Sequence, residues 1–348
     1  MKLNGKQAVA FITSPLQLLN AREWEYQIDG SVHVLLLEDY SSGRTRLQLE
    51  AVLSEFDFDI SRLGGFPRSG WSWSYFGIPY LIKVGRIVRE INMLLSGGDF
   101  DVLLVGDPRV ALCQHAMRFW ESMGGREIVV LDDGSAASII AKERHEFVLQ
   151  SSVHGLSLPR FFRRHVSRMR CGWPAALAFF SIYDLGLPEV DRLVKNKVSY
   201  LRSLPVFSNE ESWFVGSNNV EAGITTERAY LSVLRSIHES EGVALYLAHR
   251  REGPDKLEKV QRIGFTVVCP DLPLEYYCAI KAGLPRRLYG IASTVFDTFS
   301  RLWEDQLELI LIDPGPNYVL LGAREQLNLI VEENLRTADR VLQVLCEY

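Results

Sequence analysis

The sequence predicts an α/β protein made of two doubly wound halves, each a mostly parallel sheet covered by helices. Three observations predict it. Short apolar runs bounded by turn residues alternate with helix-like stretches, the pattern of parallel strands buried on both faces. The alternation occurs twice in 348 residues, on either side of a polar stretch that carries prolines. The residues able to do chemistry fall just beyond the apolar runs, where open α/β sheets bind ligands.

In the first half, residues 8–13 read as a buried strand and 16–26 as the helix after it; 32–37, 102–105 and 128–131 read as further strands. In the second half, 213–215 form a strand ending at Gly216, with strands at 243–247 and 265–269. Helices are expected at 226–238, 254–262 and 274–282. The segment from about 184 to 212 holds Pro188 and Pro205 and marks the boundary. The organisation expected is therefore a domain over 1–190 and a second over 205–325. The last stretch, 326–348, has helical spacing and reads as a helix packing back across both.

Composition sets limits. A 47% hydrophobic content is enough for two cores. A net charge of -5 gives no overall case for nucleic-acid binding. The five cysteines, at 113, 171, 269, 278 and 346, form no CxxC pair and no zinc-ligand spacing. They read as reduced thiols, most of them small buried side chains. The apolar run at 8–12 is too short for a signal peptide, and no stretch is long enough to span a bilayer. These features together read as a cytoplasmic protein. Residues 160–170 oppose the acidic trend with five arginines among Phe, Val and Met. That segment is a solvated helix face, or a surface for anionic lipid or acidic polysaccharide at the inner membrane.

Residues able to do chemistry follow the strand ends in both halves. After the first strand, Ser14 fits an N-cap and Pro15 the first helical position. Gln17 and Asn20, three apart on one helix face, need a further reason. In Gly106-Asp107-Pro108-Arg109, Asp107 is an N-cap before Pro108, or Asp107 and Arg109 contact an acceptor. Asp132-Asp133-Gly134-Ser135 places two carboxylates at the end of a buried strand, where they are costly unless hydrogen-bonded or used. One can brace the loop while the other serves as general base. In the second half, His249 followed by Arg250 suits an anionic phosphate. Glu275 sits in the first turn of a helix. Ser293-Thr294, at a helix start, makes an anion site, to which Gly216-Ser217 adds backbone donors. Asp57-Phe58-Asp59 reads as a loop pair rather than a metal motif, so the phosphate site is expected to work without metal or other cofactor.

These residues resemble bacterial sialyltransferases and polysialyltransferases of the lipooligosaccharide group. The likeness covers most of the chain and is weakest from about 140 to 210. Residues 14–20, Ser-Pro-Leu-Gln-Leu-Leu-Asn, are similar to the start of that group. Asp132-Asp133-Gly134 is similar to its acidic-acidic-Gly motif, which supplies the base. His249 matches the His of a His-Pro motif, although Arg250 replaces the Pro. Pro273-Leu274-Glu275 is similar to the segment that holds the donor ribose, and Ser293-Thr294 to the paired hydroxyls on the CMP phosphate. The resemblance implies the GT-B architecture, two Rossmann-like domains facing a central cleft. It implies inverting transfer of a sialic acid from CMP-sialic acid to a hydroxyl of a cell-surface glycan. Asp133 or Asp132 would be the base, with His249, Ser293 and Thr294 on the leaving phosphate. Gly216, Ser217, Arg250, Glu275, Ser14, Gln17 and Asn20 would line the donor, and Asp107 and Arg109 the acceptor. Other CMP-activated sugars (legionaminic, pseudaminic or Kdo) stay open as donors. A non-catalytic CMP- or glycan-binding module is the remaining alternative, although a binder needs no base.

Overall fold

A computed structural model describes residues 5–37, 43–64, 78–124, 127–134, 136–150, 173–315, 318–320, 331 and 334–344. The chain divides into two compact units, Met1–Tyr200 and Leu201–Tyr348. The arginine-rich segment 160–170 lies outside the described residues.

Unit 1 holds a seven-stranded sheet. Its strands are β1 (Gln7–Ile12), β2 (Ser31–Leu37), β3 (Asp59–Leu63), β4 (Val102–Val105), β5 (Glu127–Leu131), β6 (Ala178–Ser181) and β7 (Arg192–Lys195). They lie in the order β3-β2-β1-β4-β5-β6-β7, every pair parallel. Parallel strands need crossovers, and these are α1 (Pro15–Ile28), α2 (Arg44–Glu55), α3 (Ile78–Gly97), α4 (Ala111–Ser122) and α5 (Ala136–Gln150). The central strands are apolar throughout because helices cover them on both sides; β4, Val-Leu-Leu-Val, is buried along its whole length. Val9, Phe11, Val105, Met117, Trp120 and Phe179 meet in one core.

Unit 2 holds six strands: β8 (Ser208–Val215), β9 (Leu245–Leu247), β10 (Thr266–Val268), β11 (Leu284–Gly290), β12 (Glu308–Asp313) and β13 (Arg340–Gln343). Their order is β10-β9-β8-β11-β12-β13, again all parallel. Helix α6 (Ser199–Ser203) spans the division between units. Then come α7 (Glu227–Glu241), α8 (Pro254–Ile263), α9 (Leu274–Tyr277), a π-helical turn (Cys278–Ala282) and α10 (Thr294–Trp303). Both sheets therefore reverse strand order at one point, between β1 and β4 and between β8 and β11.

The structure corrects three expectations. Asp59 is not in a loop: it opens β3, and its carboxylate meets His33 Nδ1 at 2.7 Å. Asp107 is not a helix cap, because α4 starts four residues later behind Val110. The end of the chain is not all helix: residues 340–343 form β13, paired with β12. Among the described residues, no helix is long and apolar enough to cross a membrane.

Candidate functional site

In unit 1 the candidate site grows from three strand ends. β1 leads into α1 through Ser14, whose Oγ caps Gln17 N at 3.3 Å. Gln17 Oε1 answers by accepting from Ser14 N and Thr13 N, which closes a capping box. The remaining polar groups of both side chains turn to Asp133. Ser14 Oγ donates to Oδ1 at 2.8 Å and Gln17 Nε2 to Oδ2 at 3.0 Å. Gly106, just beyond β4, makes room for this: a Cβ there would lie 2.0 Å from Gln17 Oε1.

The two aspartates differ. Asp132 is 3% exposed. Ser181 Oγ and the Ile182 amide each donate to its carboxylate at 2.7 Å. Burial pushes its pKa up to about 7, the charge of Asp133 adds to that, and the two hydrogen bonds and Lys195 oppose it. Asn20 Nδ2 bonds the Asp132 carbonyl at 3.1 Å, and Asn196 Nδ2 in turn bonds Asn20 Oδ1. Asp133 is half-buried and held by two neutral donors. Near it, the Asp107 carboxylate takes Arg109 Nε and a terminal nitrogen, both at 2.9 Å. That pairing holds Arg109 firmly protonated, and the charges of Glu143 and Asp133 add to it.

Unit 2 has its own site, at the ends of β8, β9 and β11. Its hub is Glu252, enclosed together with Lys256 at an Nζ–Oε1 distance of 2.8 Å. Glu252 accepts from His249 N at 2.6 Å and from the Tyr246 hydroxyl. Burial raises the Glu252 pKa, and Lys256 counters it. His249 Nδ1 accepts from Arg251 N at 3.2 Å, so a neutral ring carries its proton on Nε2. Burial likewise raises the Glu275 pKa, opposed by backbone and Thr298 hydrogen bonds and by the charge of Arg250. After β11, Ala292 has φ 77, a left-handed conformation that costs a non-glycine residue about 1 kcal/mol or more. Ser293 follows as N-cap of α10, its Oγ accepting from Val295 N. Its own N–H donates at 2.8 Å to buried Asn334, which also bonds Asp297.

The structure thus gathers Ser14, Gln17, Asn20, Asp132 and Asp133 in one network, with Asp107 and Arg109 close by. It gathers Gly216, Ser217 and His249 around Glu252, and sets Arg250 against Glu275. Ser293 and Thr294 start α10, after the strand next to β8. Ser14, Gln17 and Asn20, expected at the donor, are all buried and turned onto the aspartates. One expectation changes. Gly216 and Ser217 offer no spare backbone donors, since Gly216 N bonds Leu247 O and Ser217 N bonds the Tyr230 hydroxyl. Sequence reasoning missed Glu252, Lys256, Ser181 and Asn334. The i, i+4 spacing of Glu252 and Lys256 was the available signal, but it is shared by many solvated ion pairs.

The fold defines the class: GT-B, two Rossmann-like domains. No protein family matches this sequence, and no curated protein does. Solved structures match in fold. The chain is similar to a protein assigned as a UDP-N-acetylglucosamine 2-epimerase from Listeria monocytogenes; identity is 12% over 97% of this chain and 91% of that one, with TM-score 0.54. It is similar to Arabidopsis thaliana UGT89C1 complexed with UDP-L-rhamnose, at 13% identity over 98% and 87% of the chains and TM-score 0.50.

Proposed function

We propose that the chain is a glycosyltransferase whose donor is a CMP-activated nonulosonic acid, in the first place CMP-sialic acid, and whose acceptor is a hydroxyl of a cell-surface glycan. The observation that carries the transferase reading is the division of labour at the end of β5. Asp132 is sealed by Ser181 and Ile182, while Asp133 stays half-buried, its carboxylate oriented by Ser14 and Gln17. A sealed carboxylate braces the turn, and an oriented, reachable one suits a general base. Asp133 takes the proton of the acceptor hydroxyl. The acceptor oxygen attacks the anomeric carbon as the bond to the CMP phosphate oxygen breaks, and the electron pair leaves with CMP. One displacement inverts the anomeric centre. His249, with its Nε2 proton, and Ser293-Thr294 stabilise the leaving phosphate, and Glu275 holds the ribose. The CMP donor comes from the family resemblance; the names of the fold neighbours carry UDP compounds, so a UDP-linked donor is the competing reading.

The test offers the protein a panel of CMP-sialic, CMP-legionaminic, CMP-pseudaminic and CMP-Kdo donors and UDP-sugars, with a glycan acceptor, with and without EDTA. CMP release from CMP-sialic acid, dependent on acceptor and indifferent to EDTA, is expected. Turnover of UDP-sugars alone would sink the donor assignment, and nucleotide binding without any turnover would favour the binding-module reading. Flotation with anionic vesicles, with and without the Arg163 and Arg164 charges, tests peripheral membrane contact.

A further inference from the structure

One buried ion pair in unit 2 holds two turns at once. Charges as deep as Glu252 and Lys256 are costly to desolvate and are tolerated where every hydrogen-bonding position is filled. Here the turns fill them. Glu252 Oε2 accepts from His249 N at 2.6 Å, and Lys256 Nζ donates to the Ser217 carbonyl at 2.7 Å. Glu221 lies 3.3 Å from the same ammonium, and the Tyr230 ring 3.9 Å from it. Gly216 lets the turn close on the pair: a Cβ there would lie 2.5 Å from Glu252 Oε2. An apolar pair of similar volume would pin α8 to the sheet without the desolvation. It would not tie an amide of one strand-end turn and a carbonyl of another to a single rigid unit.

The location points to a ligand at the same place. Ser217 is 8% exposed, and its side chain meets the Tyr230 hydroxyl. Its N–H and C=O are both engaged, by Tyr230 and Lys256. It stands at the carboxyl end of β8, beside the point of strand-order reversal where doubly wound sheets bind ligands.

We propose that Glu252 and Lys256 are positioning residues of a nucleotide-phosphate site, holding the turns of Ser217 and His249 in one register. The inference deepens the donor reading above and rests on it. Neither residue of the pair touches the nucleotide; each acts through the turn it holds.

The experiment measures CMP and cytidine affinity and the unfolding temperature for the full chain, Glu252→Gln, Lys256→Met and the double variant. Each single variant lowers the unfolding temperature, because one buried charge loses its partner. The double variant recovers it, since Gln still accepts from His249 and Tyr246. CMP affinity stays about tenfold weaker in the double variant, the worth of one charged hydrogen bond. Cytidine, which has no phosphate, binds equally across the set. CMP affinity that returns together with the unfolding temperature overturns the proposal and leaves the pair a structural brace. A matching loss of cytidine affinity overturns it too. If the wild type binds UDP but not CMP, the donor assignment fails, and the same comparison with UDP against uridine decides the positioning role. Binding of no nucleotide at all sinks both.

Discussion

Unit 1 and unit 2 build the same reversing sheet but treat carboxylates at strand ends in opposite ways. In unit 1 two adjacent aspartates are held by neutral donors: Ser181 and Ile182 on Asp132, Ser14 and Gln17 on Asp133. No cation is among these partners. In unit 2 the carboxylate of Glu252 is matched by Lys256, so its field is largely cancelled beside the turns of Ser217 and His249. The shared scaffold does not decide the electrostatics of a strand end. The groups brought in from later in the chain do.

The comparison breaks most visibly at Asp133. Asp133→Asn should lower turnover by about 10²–10⁴-fold, the range for losing a general base, with the unfolding temperature nearly unchanged. Asp132→Asn should lower it far less, and equal losses in steady-state assays would erase the division between the two residues. Next come the two glycines. Gly106→Ala presses on Gln17 at 2.0 Å, and Gly216→Ala presses on Glu252 and Tyr246 at 2.5 and 2.6 Å. Each should cost about 1–3 kcal/mol as overpacking. The first should lower turnover and spare nucleotide affinity, and the second should do the reverse, read by steady-state kinetics and calorimetry on both variants.

A pH series sharpens the contrast further. The pKa of Asp132 rises from 3.8 to about 7, so between those values the folded protein keeps a proton that the unfolded chain has released. Stability therefore falls as pH rises through that window. Glu252 and Glu275 are shifted in the same direction, so denaturant titrations of Asp132→Asn should show a shallower slope rather than none. The smallest effect belongs to Asn334→Ala. It removes one bond to the Ser293 N–H and one to Asp297, and should cost about 1–2 kcal/mol with a modest loss of CMP affinity.

Strands β1, β2, β4, β5, β8 and β9 were legible in the sequence because burial on both faces leaves continuous apolar runs, and the edge strand β10 was read as well; the interior strands β6, β11 and β12 were not. Other edges were missed too. β3 is Asp-Ile-Ser-Arg-Leu and β13 is Arg-Val-Leu-Gln, both largely exposed or half-buried, and such edge strands carry no apolar run to recognise. The helix expected at 274–282 is one helical turn that widens into a π turn at Cys278, a change in pitch that periodicity does not register. At the site, the pair of aspartates was visible, but the partners that seal Asp132 arrive at Ser181 and Ile182, on another strand. The same holds for Gly216 and Ser217. Their position at a strand end was readable, while the engagement of their amides by Leu247 and Tyr230 is a product of packing.

The all-parallel topology has a consequence for how the chain reaches this state. Among the described residues, no strand pairs with a neighbour through a tight hairpin. The central register of unit 1 sets Ala8 against Val102, and that of unit 2 sets Trp213 against Leu288. Each such pairing must close a long loop before any strand contact rewards it, which slows folding and leaves apolar strand edges open in the meantime. Slow refolding from denaturant, with yields that improve on dilution and at lower temperature, is the behaviour this connectivity dictates.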